Sequence, residues 1–238
     1  MQILGIKIDN FSENEIFQKV NDFLNGDNFH QIATVNPEFI LEARRDEEFS
    51  NILNQCDLNV ADGMGIKLAF WRKGGKLKSR IAGADLMMEI LRIANEKNLG
   101  VFLAANKRGL SGWEETASVI RKSYPGIIVS GCNLSKDNIQ EKNYELGIMN
   151  YEIVFCNFGM GYQEKFLYSL KNAKNAKIRL VMGVGGGFDF IMGKVKRAPL
   201  ILRQIGLEWL WRLIQQPQRI KRIWNAVIIF PIRVILNF

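Results

Sequence analysis

The chain of 238 residues has a single histidine, His30, and three cysteines. One histidine excludes a histidine-based catalytic triad and a metal site with several histidine ligands, so we expect His30 to be structural. Cys56, Cys132 and Cys156 form no C-x-x-C pair and lie in apolar stretches. We therefore expect free thiols in a reducing compartment, and neither a disulfide nor a metal site.

Long apolar runs are also missing, because no window reaches the roughly 18 uninterrupted apolar residues of a transmembrane helix. Met1 leads directly into an alternating stretch without the basic and apolar regions of a signal peptide. We therefore expect a protein of cytosolic origin. With 47% hydrophobic residues, the chain has enough apolar material for a core, and nothing indicates disorder.

Acidic residues are scarce, since 24 Asp and Glu face 32 Lys and Arg for a net charge of +8. This balance predicts an anionic partner: nucleic acid, a phosphate-rich substrate or anionic lipid. The stretch from Gly206 to Phe238 has one acid, Glu208, among the aromatic and basic residues Trp209, Trp211, Arg212, Arg219, Lys221, Arg222, Trp224 and Arg233. Aromatic anchors with interleaved cations are typical of a helix lying on an anionic membrane.

Two prolines divide this segment: we expect Pro217 to separate two helical pieces and Pro231 to break the last one. An alternative to membrane binding is a helix docked on the body or on a neighbouring subunit. Nucleic-acid binding is less favoured, because the Ile, Val and Leu content exceeds what phosphate tracking needs.

Apolar runs of strand length alternate with helix-periodic segments along the rest of the chain. The predicted strands are Ile3–Ile8, Gln31–Val35, Leu58–Ala61, Gly100–Ala104, Ile127–Ser130, Glu152–Asn157 and Lys177–Met182. This alternation predicts an α/β fold, a Rossmann-like and mainly parallel sheet flanked by helices. The one compositional shift, after Lys194, divides the chain into an α/β domain (1–194) and a C-terminal helical appendage (195–238), which we expect to bind membrane.

The predicted helices are Ser12–Leu24, Glu38–Cys56 (as one helix or two), Gly63–Lys73, Ala84–Lys97, Gly109–Lys122, Lys136–Met149 and Tyr162–Lys174. Ser12 and Glu15 have capping-box spacing at the start of the first. In such folds ligands bind beyond the carboxyl ends of the strands, so the loops that follow strands are the candidate sites.

Asp62 follows an apolar strand and is a candidate general base. On the residues alone, an N-cap for the helix over Gly63–Lys73 is the favoured interpretation. Thr34 and Asn36, at another strand end, could hydrogen-bond a sugar or phosphate, although Asn36 could equally be a turn residue before Pro37.

The loop Gly183–Gly187 follows a strand and could bind a phosphate through its backbone N–H groups, or could simply be a tight turn. It is not a dinucleotide fingerprint, because Phe188 occupies the third glycine position. Arg80, in a basic loop, could face a pyrophosphate or be a solvated surface residue. Gln163 and Glu164 could be ordinary first-turn helix residues.

These loops taken together resemble the WecG/TagA/CpsF glycosyltransferases along essentially the whole chain. The matching motifs, in order, are Thr34-Val-Asn36, Ala61-Asp62-Gly63-Met-Gly65, Arg80-Ile-Ala-Gly83-Ala-Asp85-Leu, Gly159-x-x-x-Gln163-Glu164, Val184-Gly-Gly-Gly-Phe-Asp189-Phe, Arg197-Ala-Pro199 and Gly206-Leu-Glu208-Trp209-Leu-Trp-Arg212-Leu-x-x-x-Pro217-x-Arg219-x-x-Arg222. The resemblance implies an inverting, metal-independent transfer of an N-acetylmannosamine-type sugar from a UDP donor. The acceptor would be polyprenyl-diphosphate-linked N-acetylglucosamine, in cell-surface polysaccharide synthesis, with no cofactor.

The resemblance also implies roles for individual residues. Asp62 would be the base on the acceptor 4-hydroxyl, with Arg80 and Gln163 as further catalytic residues. The substrate-binding residues would be Thr34, Asn36, Gly185, Gly186, Asp189, Arg212, Arg219 and Arg222, of which the arginines would meet the diphosphate. The enzyme would lie on the inner face of the cell membrane, and a homo-oligomer that yields to membrane is a further expectation.

Two departures from the family pattern leave the donor open. Gly161 stands where the family has a proline, and Ala105–Arg108 replaces a glycine-rich turn. A different UDP-hexose or a uronic acid donor is therefore an alternative. A nucleotide-cofactor oxidoreductase and a membrane adaptor are less favoured alternatives.

Overall fold

The computed structural model describes residues 1–135, 145–173 and 176–236. The strands are β1 (Gln2–Ile3), β2 (Ile6–Lys7), β3 (His30–Val35), β4 (Leu58–Ala61), β5 (Gly100–Asn106), β6 (Ile128–Leu134), β7 (Ile153–Cys156) and β8 (Leu180–Gly183). The helices are α1 (Glu13–Asn25), α2 (Pro37–Ala43), α3 (Glu47–Gln55), α4 (Met64–Arg72), α5 (Gly83–Glu96), α6 (Trp113–Ser123), α7 (Glu145–Ile148), α8 (Tyr162–Ser169), α9 (Gly187–Ile191), α10 (Leu200–Gln204), α11 (Glu208–Gln215), α12 (Ile220–Trp224) and α13 (Phe230–Leu236).

Six of these strands form one sheet in the order β4-β3-β8-β7-β5-β6. Every neighbouring pair is parallel, which confirms the predicted α/β architecture. The prediction of one strand over Ile3–Ile8 is wrong, because β1 and β2 pair as an antiparallel hairpin. Leu4 and Gly5 reverse the chain there with φ of 47° and 88°.

The starts of the helices agree in part with the sequence predictions. Ser12 and Glu15 form the predicted capping box at the start of α1. The segment Glu38–Cys56 is two helices, α2 and α3, and the helix predicted from Gly109 begins later, at Trp113. Residues 136–144 of the helix predicted over Lys136–Met149 lie outside the described part of the chain, and the rest is the short α7.

Buried apolar side chains pack on both faces of the sheet, as a parallel sheet requires. On one face α1, α5, α6 and α9 cover the strands. On the other face lie α2, α3, α4 and α8. Phe230 and Val234 of α13 join this second face at 0% and 7% exposure, in one cluster with Ile66 and Phe70 of α4. One side of the last helix is therefore docked on the body.

The C-terminal helix runs from Ile220 to Leu236 through a π-helical turn over Asn225–Ile229. Pro217 opens a 3-10 turn between α11 and α12 and separates the two pieces as predicted. The prediction that Pro231 breaks the last helix is wrong. A proline lacks an N–H and crowds the preceding turn, and the wider π turn just before Pro231 relieves that crowding. Among the described residues, no helix has both the length and the apolar character needed to cross a bilayer.

Candidate active site

The strands β4, β3, β8 and β7 are neighbours and end at the same edge of the sheet. Asp62, Asn36, Val184 and Asn157 follow them directly. The backbone N–H of Asp62 still donates to the carbonyl oxygen of Val35 at 2.9 Å, which keeps the ends of β4 and β3 together. The loops singled out by the strand-end rule therefore form one site.

Two cavities open at this edge. The apolar cavity, of about 400 Å³, lies between α4 and the C-terminal helices and is lined by Asn36, Pro37, Glu38, Asp62, Gly63, Met64, Gly65, Leu68, Arg80, Gly206, Glu208, Trp209, Arg212, Arg219, Arg222, Ile223, Ala226, Val227 and Pro231. The glycine-loop cavity, of about 280 Å³, is lined among others by Thr34, Asn36, Asp62, Asn157, Gln163, Gly185, Gly186, Asp189, Phe190, Arg212, Arg219 and Arg222. The structure thus brings every site residue singled out in the sequence to one cavity or the other.

The two cavities share five residues: Asn36, Asp62, Arg212, Arg219 and Arg222. One carboxylate and three guanidinium groups therefore lie at their junction. A reaction between two ligands, one in each cavity, would take place beside these groups.

Asp62 does not cap the helix that follows it. The N-cap of α4 is Gly63, at φ 87°, and no side chain bonds to the cap. The N-cap interpretation is therefore wrong, and the carboxylate belongs to the cavities. Burial raises the pKa of Asp62 to about 6; Arg212 opposes the shift, Glu208 adds to it and Arg80 opposes it.

Arg80 reaches the site although it lies on a loop far from any strand end in sequence. The N–H of Ile81 donates to the carbonyl oxygen of Ala61 at 3.1 Å, so the loop runs along the end of β4. The Nη2 atom of Arg80 donates to the carbonyl oxygen of Arg203 at 2.8 Å. Arg80 thus connects the body to the C-terminal segment and lines the apolar cavity.

Asn36 is both a turn residue and a cavity residue. Its Oδ1 atom caps α2 by accepting the N–H groups of Glu38 and Phe39 at 2.9 and 3.1 Å. The carbonyl side of the amide is occupied by the cap, which leaves the amide nitrogen for a ligand. Thr34, at 7% exposure, lines the glycine-loop cavity and packs against Gly83.

Gln163 and Glu164 form a buried pair at the start of α8, at 3% and 1% exposure. Gln163 donates through Nε2 to Oε1 of Glu164 at 2.7 Å and accepts the N–H of Gly185 through Oε1 at 3.1 Å. The other oxygen of Glu164 accepts the N–H of Gly161 at 2.8 Å. Burial raises the pKa of Glu164 to about 7, while its hydrogen bonds from Gln163 and Gly161 oppose the shift.

This pair fixes the glycine loop. A Cβ atom on Gly183 would lie 2.7 Å from Oε1 of Glu164 and even closer to the amide of Gln163. The Gly185 N–H is bonded to Gln163, and the Gly187 N–H donates to the carbonyl oxygen of Val184 at 2.8 Å. The tight-turn interpretation of the loop is therefore confirmed, whereas phosphate binding there stays a prediction.

Asp189 lies on α9, just after the glycine loop. Its Oδ1 atom accepts the hydroxyl of Ser111 at 2.8 Å, and Ser111 is completely buried. The bond ties α9 to the segment before α6 and leaves the other carboxylate oxygen of Asp189 for a ligand.

The three arginines of the C-terminal segment differ in their partners. Arg222 donates to Oε2 of Glu38 at 2.8 and 2.5 Å, and Arg212 pairs with Glu208 at 3.0 Å. Arg219 has no carboxylate within 4.0 Å in the described part of the chain. Burial and the like charges of Arg222 and Arg212 lower the pKa of Arg219 below its usual value. This surplus of positive charge suits an anionic ligand such as a diphosphate.

Some residues of the site were given no role from the sequence. Asn157 follows β7 directly and accepts the N–H of Asn106 at 2.6 Å, so its position at a strand end was an available signal. Phe190 places its ring 5.1 Å from the guanidinium of Arg212, a contact between segments far apart in sequence. Glu38 and Glu208 belong to the site as the carboxylate partners of Arg222 and Arg212.

Among the described residues, no cluster of three or more His, Cys, Asp or Glu could hold a metal ion.

A parallel sheet with two cavities that meet at a carboxylate and three arginines has room for two ligands, and the arginines favour an anionic one. The chain belongs to the glycosyl transferase WecG/TagA/CpsF family, whose model matches residues 1–238. It is a glycosyltransferase of that family, as the sequence motifs predict.

Similar proteins include two N-acetylglucosaminyldiphosphoundecaprenol N-acetyl-beta-D-mannosaminyltransferases. The protein of Bacillus subtilis strain 168 is 33% identical over 194 residues, covering 80% of this chain and 73% of the relative. The protein of Staphylococcus aureus strain MRSA252 is 31% identical over 230 residues, covering 94% of this chain and 87% of the relative.

Proposed function

We propose that this enzyme transfers an N-acetylmannosamine-type sugar from a UDP donor to N-acetylglucosamine linked to polyprenyl diphosphate, with inversion and without a metal. The names of the similar proteins give the transferred sugar and the acceptor. The observation that carries the proposal is the position of Asp62 at the junction of the two cavities.

The glycine-loop cavity is the proposed donor site. Thr34, Asn157 and Gln163 offer hydroxyl and amide groups for sugar and uracil hydrogen bonds. Gly185 and Gly186 let a ligand approach the backbone closely, and Asp189 keeps a carboxylate oxygen for a ribose or sugar hydroxyl. This cavity is rich in groups that hydrogen-bond, as a nucleotide sugar requires.

The apolar cavity is the proposed acceptor site. Leu68, Ile223, Val227 and Pro231 provide a wall for the first isoprene units of the lipid. The acceptor diphosphate would lie inward of them, at Arg222, which leaves Arg212 and Arg219 for the donor diphosphate. This order of groups, from apolar at the mouth to cationic at the junction, matches the order of groups along a polyprenyl-diphosphate sugar.

In the proposed reaction Asp62 accepts the proton of the acceptor 4-hydroxyl. The hydroxyl oxygen forms a bond to the anomeric carbon on the face opposite the diphosphate, and the bond from that carbon to the diphosphate oxygen breaks. UDP leaves with the bonding electrons. A pKa of about 6 leaves Asp62 ionised at neutral pH and basic enough to take the proton in the transition state.

The negative charge that develops on UDP needs a positive partner. Arg212 and Arg219 line both cavities and lie on the segment that closes over them. Fixed guanidinium groups in a site that excludes water can stabilise a departing diphosphate as a metal ion would. For that reason we propose a metal-independent transfer with no cofactor.

We also propose that the appendage, residues 195–238, lies on the anionic inner surface of the cell membrane. Ile220, Trp224, Ile228 and Ile232 follow each other at four-residue spacing and are all exposed, on the face away from the buried Phe230. The last helix therefore has two apolar faces, one docked on the body and one open. In the absence of lipid this open face could pair with a second copy, which light scattering with and without anionic vesicles would detect.

The donor sugar can differ from N-acetylmannosamine, and one observation bears on this. Gly161 has φ of 83°, which proline cannot adopt, and its N–H is bonded to Glu164. The loop beside Gln163 is thus built differently from a proline-containing one.

A screen of UDP-sugars with a water-soluble short-chain prenyl-diphosphate acceptor tests the proposal. We expect turnover with UDP-N-acetylmannosamine; turnover only with another UDP-hexose or a UDP-uronic acid would reassign the donor, and none with any donor would contradict the function.

A further inference from the structure

Helix α4 of the catalytic body presents a tryptophan to solvent. Trp71 is 74% exposed, although tryptophan side chains are usually buried for most of their surface. The opposite side of the helix is fixed in the core by Ile66, Ala69 and Phe70, at 0% exposure each. Since the helix cannot turn to bury Trp71, the ring is held outward.

The exposed side of α4 has apolar residues in the middle and cations at its borders. At about 100° per residue, Lys67, Trp71, Leu68 and Arg72 follow one another around an arc of about 140°. All four are exposed. Trp71 and Leu68 are central, and Lys67 and Arg72 lie on the two flanks.

The charge around this face has one sign. From Met64 to Ala84 the sequence contains no Asp or Glu. Lys67, Arg72 and Lys76 have no carboxylate within 4.0 Å among the residues that the structure describes. The other two lysines of the stretch are engaged, Lys73 with the carbonyl oxygen of Gln2 and Lys78 with Glu15.

This face adjoins the mouth of the apolar cavity. Leu68 lines that cavity together with Val227 and Pro231 of the last helix. A Cβ atom on Gly65 would lie 3.3 Å from the ring of Phe230, so α4 and the last helix are in direct contact. The exposed face of α4 therefore stands next to the entrance through which a lipid-linked acceptor would pass.

We propose that α4 is a second membrane contact, in which Trp71 enters the interface of an anionic bilayer between Lys67 and Arg72. This contact orients the mouth of the apolar cavity toward the lipid. This inference rests on the proposed function, because orienting the cavity toward the bilayer matters only if the acceptor is held there. The appendage and α4 then touch the membrane on two sides of the same opening.

The chemistry of the face selects lipid over other occupants. A tryptophan ring flanked by cations suits the headgroup level of an anionic bilayer. A second copy paired by two-fold symmetry through this face would place its Lys67 and Arg72 near those of the first copy, which like charges disfavour. Nucleic acid would satisfy the cations and leave Leu68 and Trp71 unused.

The test uses the full chain and compares binding to vesicles of phosphatidylglycerol and phosphatidylcholine with binding to pure phosphatidylcholine. We expect Trp71→Ala to weaken binding to the anionic vesicles about ten-fold. Removing both cations, in Lys67→Ala/Arg72→Ala, should weaken it by roughly five-fold per cation and flatten its salt dependence. The control is Ile128→Ala on β6, because Ile128 is also an exposed apolar residue, at 66%. Equal vesicle binding by wild type and Trp71→Ala would overturn the proposal.

A second readout reports the position of the ring itself. The emission of Trp71 is the difference between the fluorescence of wild type and that of Trp71→Phe. In vesicle-bound protein, brominated lipid should quench this difference. If that difference is insensitive to bromine, or if Trp71→Ala only converts a lipid-free oligomer into a monomer, the face belongs to another occupant and the proposal fails.

Activity separates this inference from the proposed function. On a water-soluble short-chain acceptor, Trp71→Ala should be as active as wild type, because Trp71 lines neither cavity. On an acceptor that carries the same sugar diphosphate on a full-length polyprenyl chain, embedded in anionic vesicles, Trp71→Ala should be about ten-fold slower than wild type. If wild type fails on the soluble acceptor, the proposed function is at fault; if the variant equals wild type in vesicles, only the α4 contact is.

Discussion

Ile81 donates its backbone N–H to the carbonyl oxygen of Ala61 at 3.1 Å, and this bond places Arg80 beside the strand end that carries Asp62. The positive charge of Arg80 in turn lowers the pKa of Asp62. One backbone hydrogen bond thus connects a basic loop, Asp62 and, through the bond from Arg80 to Arg203, the C-terminal segment.

Replacement of Arg80 tests that connection. Arg80→Ala removes a charge-assisted hydrogen bond to Arg203 and a cation of the apolar cavity, so we expect kcat/KM to fall about 10- to 100-fold. Arg80→Lys should recover little, because an ammonium lacks the planar fork of the guanidinium. Steady-state kinetics on the soluble acceptor measure both. Arg45→Ala, which removes an exposed cation outside both cavities, is the control and should match wild type.

Arg219 has a lowered pKa because it is partly buried beside the like charges of Arg222 and Arg212, and a bound diphosphate would relieve that repulsion. We expect Arg219→Ala to weaken UDP binding at least ten-fold in titration calorimetry, because a charge-assisted contact contributes about 1.5–3 kcal/mol. Lys221→Ala has the same change of charge two residues away and lines neither cavity. A similar loss of UDP affinity in both variants would show that net charge, and not a contact of Arg219, holds the nucleotide.

The raised pKa of Asp62 predicts the pH dependence of the rate. The base must be ionised, so kcat/KM should fall about ten-fold per unit as pH drops below about 6. The negative charge of Glu208 contributes to the raised pKa, and Glu208→Gln should therefore move this acidic limb to lower pH. A limb that stays in place in Glu208→Gln would mean that another group titrates there.

Glu164 is the other acid with a raised pKa, at about 7. Between its unfolded value of about 4.5 and 7 the folded protein binds more protons than the unfolded chain, so this residue makes the fold less stable as pH rises. In Glu164→Gln that loss disappears. The melting temperature of the variant relative to wild type should therefore be higher at pH 8 than at pH 5, as differential scanning fluorimetry would show.

The same substitution also removes an acceptor. An amide can accept only one of the two donors, Gly161 N–H and Gln163 Nε2, that the carboxylate satisfies. We expect kcat to fall while the acidic limb from Asp62 persists. A relative melting temperature independent of pH would show that the pKa of Glu164 is not raised in the folded protein.

Sequence periodicity predicted the sheet well because strands buried on both faces are continuous apolar runs between turn residues, as in Gln31–Val35 and Leu58–Ala61. It failed where a single backbone angle decides. A φ of 47° at Leu4 turns one predicted strand into a hairpin, and a π turn lets the helix continue through Pro231. Neither feature has a residue-type signature strong enough to read from the sequence.

The site was predictable to the extent that it lies at strand ends. Asp62 illustrates the limit, because residue preferences alone favour a helix cap there. Gly63, at φ 87°, separates Asp62 from α4 and leaves the carboxylate in the cavities. Pairings across the chain, such as Arg222 with Glu38 and Arg212 with Phe190, depend on tertiary packing that no local pattern encodes.

The central claim is that Asp62 is the base at the junction of the donor and acceptor cavities. The most direct measurement is turnover of UDP-N-acetylmannosamine on the soluble prenyl-diphosphate acceptor by wild type and Asp62→Asn, with UDP affinity measured on both. We predict that kcat falls about 10²- to 10⁴-fold in Asp62→Asn while UDP binds as before. Undiminished turnover by the variant would contradict the account.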